Sequence, residues 1–227
     1  EKWLCFALIG LAALALVPIW TVKILPMADA PQQAALGFIW RNLADPQFRF
    51  MDIFSTNLLT PYLVGPAFYR YLGGILDPFL ITKLCASIYA LGFMLSCVFL
   101  VRSVGGYLLW TVMALPIAFN AAFYWGLTSF LLAVPLAIVF VACVYLYVGG
   151  PTLRTGVVIA TLLITLFWFH IFAFLFSALL VSQAMPDPRA CEVDRARHDF
   201  DVATALRECR RMAEHGYPDA QLILGVM

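Results

Sequence analysis

The sequence predicts an all-α, polytopic helical membrane protein of about six transmembrane helices with a short soluble helical C-terminal tail. Two observations carry that expectation. Of the 227 residues, 63% are hydrophobic and only 12% charged, and the mean hydropathy is +0.92, outside the range of soluble globular domains. Six stretches, 3–22, 58–76, 79–101, 107–123, 126–148 and 157–184, also come near the roughly 20 apolar residues that bridge a hydrocarbon core of about 30 Å. Residues 1–184 are thus expected to form a membrane domain, 185–198 a linker and 199–227 a helical segment.

The first stretch follows Lys2, as a signal peptide's apolar run follows its charged start. Its length exceeds the usual signal core, and Pro26-Met27-Ala28-Asp29 comes after it, so it reads as a retained anchor. In the polar loop that follows, Leu36, Ile39, Trp40 and Leu43 recur at i, i+3, i+4, i+7 and share one helical face. This predicts a surface helix over 30–43, opened by Asp29 with Gln32 as a capping box and closed by Asp45-Pro46. Thr60-Pro61 is the expected N-terminus of the second span, and Gly73-Gly74 with Asp77-Pro78 form the expected turn into the third. Arg70 falls in the second span, where it would snorkel beside Tyr69 and Tyr71. Pro116 and Pro135 are expected to kink the fourth and fifth spans. The stretch from Asn120 to Trp125 is the turn between those two spans, and Gly149-Gly150-Pro151 precedes the sixth. After Ala184 the composition turns to Asp, Glu and Arg, and the apolar runs cease. With Lys2 inside, six spans return Arg189, Arg195 and Arg197 to the same side, so both termini are expected in the cytoplasm.

The formal net charge of +1 gives no concentrated basic face for a nucleic acid. The cysteines and histidines lack metal-ligand spacing, so neither a metal nor a cofactor is expected. Cys5, Cys85, Cys97 and Cys143 lie in apolar runs and read as small fillers.

Asp29 is the candidate catalytic group. A carboxylate beside the first span could deprotonate an acceptor hydroxyl as a general base, and the same residue could simply cap the loop helix. Arg41 and Arg49 are the phosphate-binding candidates, through forked hydrogen bonds, with headgroup-solvated surface arginines as the plainer reading. His170, in the middle of the sixth stretch, is an ionisable group at membrane depth. Asn120 is its candidate polar partner, a pairing that would serve packing as well as function.

Two resemblances add to these readings. Pro26, Asp29, Pro31 and Gln32, then Asn57, Thr60, Pro61 and Tyr62, then Phe123 to Gly126 with Phe130, then Pro151 to Arg154 and His170 resemble bacterial multi-pass membrane proteins of GT-C-type glycosyltransferase layout. The resemblance covers residues 25–184. It implies sugar transfer from a polyprenyl-phosphate donor in the bacterial inner membrane, with Asp29 as base and a loop arginine steadying the departing phosphate. The sequence departs from that pattern at Gln33, where such proteins carry His. Residues 199–227, through Asp199-Phe200, Ala203, Ala205-Leu206, Met212 to Glu214, Gly216 and Ala220 to Met227, resemble the opening of a Sel-like (tetratricopeptide-related) repeat array. That resemblance implies a protein partner and a rival function, a non-catalytic membrane scaffold. A transporter is the third reading, resting on His170 and the two proline-bearing spans. A full GT-C body needs more spans and a solenoid needs more repeats, so the chain reads as a fragment or as a fusion of two genes. Membrane lipids are the partner common to all three readings.

Overall fold

The computed structural model describes residues 2–184, with side chains over 10–183, and the expected linker and repeat segment lie outside the described residues. Every regular element among them is helical. The helices are α1 Lys2–Thr21, α2 Ala30–Arg41, α3 Val64–Leu72, α4 Pro78–Ser103, α5 Ala114–Ala118, α6 Ala121–Trp125, α7 Thr128–Gly149, α8 Leu153–Phe169 and α9 Ile171–Ala184. One 3₁₀ turn, Phe50–Asp52, precedes α3, and another, Leu108–Met113, runs into α5.

Helices α4 and α7 form the centre. Helix α4 starts where local chemistry dictates: Asp77 accepts a hydrogen bond from the Leu80 N–H at 3.0 Å, and Pro78 fills the first turn, where a missing N–H costs nothing. The two helices meet at Gly92, where a Cβ would stand 3.4 Å from the Pro135 ring. Tyr89, only 1% exposed, donates its hydroxyl proton to the Ala118 carbonyl at 2.9 Å and so ties α4 to α5. Around that bond Ala86, Ala90 and Phe93 pack with Phe123, Leu131 and Leu132, and with Ala15 and Ile19 of α1. A second core joins Ala133, Phe140 and Val144 of α7 to Ile159 and Leu166 of α8 and Ala173 of α9.

Outward faces are also apolar: Leu95 is 69% exposed, Trp110 70% and Phe176 73%. A helix apolar all round suits a hydrocarbon surround. Three helical stretches among the described residues are long and apolar enough to cross a membrane: Pro78–Ser103, Leu108–Trp125 and Thr128–Gly149. They match the expected third, fourth and fifth spans. The fourth is assembled from a 3₁₀ turn, α5 and α6, and Pro116 lies within its α5 segment.

Two of the six expected spans take other forms. Over 58–76 the chain holds only α3, nine residues long, or about 13 Å at 1.5 Å per residue. The Thr60-Pro61 start is not used; α3 begins after Leu63 without a side-chain cap. The stretch 157–184 is broken at His170, whose φ of −163° and ψ of 127° are extended. Helix α9 then doubles back beside α8. The rings of Phe167 and Phe174 meet edge to face across the break, 5.7 Å apart. Phe172, Phe176 and Leu180 of α9 line a cleft with Phe130, Val134 and Val141 of α7.

Candidate functional site

Helices α2 and α3 form a ledge on this frame, and the residues singled out in the loop lie along it. They pack parallel. A Cβ at Gly65 would stand 2.5 Å from the Gln33 side-chain oxygen; at Gly37, 2.4 Å from the Tyr69 Cβ and 2.7 Å from the Pro66 carbonyl; at Gly73, 3.5 Å from the Arg41 guanidinium. The pairing thus advances along both helices in the same direction. Glycine at 37 is what lets the backbones approach this closely. Parallel neighbours need a connection that returns the length of the pair, and residues 42–63 supply it.

Asp29 opens α2 in a way the capping-box pattern does not foresee. Its side chain makes no capping hydrogen bond, and its backbone is already helical at φ −91° and ψ −6°. The reason lies in α6. The N–H groups of Ala28 and Asp29 donate to the Tyr124 and Trp125 carbonyls at 3.1 and 2.8 Å. Gly126, at φ +74°, brings α6 against this backbone so closely that a Cβ there would lie 3.2 Å from the Asp29 nitrogen. A cap residue normally takes extended dihedrals to reach the next turn; here the clamp from α6 holds the backbone away from them. The expected Asp29–Gln32 capping box is therefore not formed, and the carboxylate of the partly buried Asp29 is left without that role.

Arg41 stands at the far end of α2, twelve residues from Asp29, about 18 Å along the helix axis. It does not share a site with Asp29. It lies against Gly73 and Gly74, one turn along α3 from Arg70, which the sequence presented only as a snorkelling arginine. The Arg70 guanidinium carbon sits 4.3 Å from the centre of the Trp40 ring and 5.5 Å from that of Tyr71. The signal for this cluster was the repeated basic–aromatic pair, Trp40-Arg41 and Arg70-Tyr71, at the two helix ends. Arg49 is held elsewhere, in an exposed ion pair with Asp52 at 2.7 Å, the one ion pair among the described residues.

The apolar face of α2 lines a groove. Leu36, Ile39, Trp40 and Leu43 form one wall, and the returning segment from Phe54 to Leu63 forms the other, enclosing about 270 Å³. Leu36 is 40% exposed; the buried positions of α2 are Ala30, beside Gly126, and Gly37, against α3.

The α8–α9 corner holds the outer wall. The Trp168 indole N–H donates to the Leu58 carbonyl at 3.0 Å, and the Leu63 N–H to the Trp168 carbonyl at 3.1 Å. Ser129 accepts from the Gly65 N–H at 2.9 Å and donates to the Tyr62 carbonyl at 3.2 Å. Tyr62 sits at φ +69°, a costly region for a bulky side chain, with its ring edge-on to His170 at 4.6 Å. His170 is 8% exposed and also meets Phe130 at 4.9 Å. Its Nδ1 accepts from the Phe172 N–H at 3.3 Å, which places the proton of the neutral ring on Nε2. The structure does not bring Asn120 to it. That side chain caps α6, accepting from the Phe123 N–H at 3.3 Å and donating to the Ile117 carbonyl at 3.1 Å.

No cluster of three metal-ligating side chains occurs among the described residues. Comparison with protein-family models, with curated proteins and with solved structures returned no match. The functional reading therefore rests on the site itself.

Proposed function

We propose that the chain is part of a GT-C-like integral membrane protein of the bacterial inner membrane, with both termini in the cytoplasm, transferring a sugar from a polyprenyl-phosphate donor. The observation that carries this reading is Asp29: its backbone is clamped by α6 while its carboxylate is spared from capping. A partly buried carboxylate on a clamped backbone suits a general base, which must reach the acceptor hydroxyl without being consumed by a structural bond. Phosphate stabilisation next to Asp29 is not assigned to Arg41, which lies at the opposite end of α2.

The test is transfer by membranes containing the protein, supplied with labelled polyprenyl-phosphate sugars, for wild type and Asp29→Asn. Because Asp29 makes no capping bond, the variant keeps the fold, and transfer falls to background. Equal transfer by both removes Asp29 from the mechanism, and no transfer by either favours the scaffold reading.

A further inference from the structure

The groove and the arginine cluster share Trp40, whose ring lines the groove and also carries the Arg70 guanidinium on its face. A cation held over a ring face is attracted to its π-electrons and uses none of its N–H donors in hydrogen bonds there, so they can take a phosphate in two parallel hydrogen bonds. The Arg41 guanidinium lies against Gly73 and Gly74, one turn along α3 from Arg70. Neither arginine has a carboxylate within 4.0 Å among the described residues, where the one ion pair is Arg49–Asp52. The ends of α2 and α3 each place a charge of about −0.5 here, so the two arginines leave the corner net positive by roughly one. Behind that corner runs an open cleft of about 270 Å³ walled by Leu36, Ile39, Leu43, Phe54, Leu58 and Leu63. Its volume is just under the roughly 300–1,000 Å³ of pockets for compact small molecules, and its wall is mostly apolar, with Ser55, Thr56, Asn57 and Thr60 as the polar positions.

We propose that this corner and cleft bind one anionic membrane phospholipid, its headgroup phosphate on Arg41 and Arg70 and an acyl chain in the groove. The complementarity of charge and apolarity selects the occupant: a free phosphate leaves the groove unfilled, and a neutral hydrocarbon leaves two cations uncompensated. Lipid binding here is independent of the sugar-transfer reading, since Asp29 is at the other end of α2.

Photocrosslinking of the full chain tests it, using phosphatidylglycerol with a diazirine in its acyl chain and unlabelled phosphatidylglycerol or phosphatidylcholine as competitor. The expected result is label on residues 36–43 and 54–63, displaced by phosphatidylglycerol at lower concentration than by phosphatidylcholine. Each of Arg41→Gln and Arg70→Gln weakens phosphatidylglycerol binding about fivefold, and the double variant loses the preference between the lipids. Leu36→Trp, at a partly exposed groove position, blocks label from both segments while the unfolding transition stays in place. Equal displacement by the two lipids, label confined to other segments, or a double variant that keeps its preference overturns the proposal.

Discussion

Replacing Gly37 by alanine tests the α2–α3 contact, on which the ledge depends. A methyl group there meets the Tyr69 Cβ at 2.4 Å and the Pro66 carbonyl at 2.7 Å. Neither neighbour can swing away, since one is attached to the α3 backbone and the other is part of it. Restoring ordinary contact requires the helices to part by about 1 Å, and overpacking of this kind costs roughly 1–3 kcal/mol. Alanine also gains about 0.8–1.0 kcal/mol over glycine in a helix, which offsets part of that loss. Gly10 of α1, where a Cβ meets nothing within 4 Å, isolates the gain. In detergent unfolding followed by tryptophan fluorescence, Gly37→Ala should therefore lie about 1–3 kcal/mol below Gly10→Ala. Parting the helices also loosens the Arg70–Trp40 stack, so the indole emission of the folded state should shift in Gly37→Ala alone. If the two variants gain stability equally, the close parallel packing is wrong.

Ser129→Ala removes the acceptor of the Gly65 N–H and the donor to the Tyr62 carbonyl at a buried junction, and should cost about 1–3 kcal/mol in the same unfolding assay; a loss below about 0.5 kcal/mol would mean the groove wall is not anchored there. Asp77→Ala should cost about 0.5–2 kcal/mol through the lost cap of α4, whereas Asp77→Asn should stay near wild type because Asn caps comparably. Equal losses in those two variants would point to the charge and away from the cap.

The elements legible from sequence are those whose causes are local. Helices α4 and α7 are long uniform apolar runs, bounded by Asp77-Pro78 and by glycines on either side of α7, and their ends fall within two residues of the expected ones. The helix of the first loop was readable for the same reason: its apolar spacing lies within one element. What the spacing could not tell was the destination of that face. Hydropathy registers burial against a protein wall and burial in lipid alike, so the apolar content of 58–76 read as a span although Phe54 to Leu63 walls a groove. The break at His170 carries no glycine or proline; it follows from contacts to Tyr62 and Phe130, distant in sequence. The same holds for the candidate site. Asp29 was visible as a loop carboxylate, but its freedom from capping depends on carbonyls at Tyr124 and Trp125, nearly a hundred residues on. The value of Arg70 comes from Trp40 on another helix, which no local window contains.

Placing Asp29 at one end of the ledge and the arginine corner at the other rests on α2 and α3 running parallel. Spin-label distances measure that directly. In a cysteine-free background, one label at Gly74 is paired in turn with a label at Arg41 and one at Gln32, all exposed positions. Nine residues of α2 separate Gln32 from Arg41, about 13 Å of helix rise. The parallel arrangement predicts a short 41–74 distance and a 32–74 distance longer by about that amount; equal distances, or the reverse order, would contradict it.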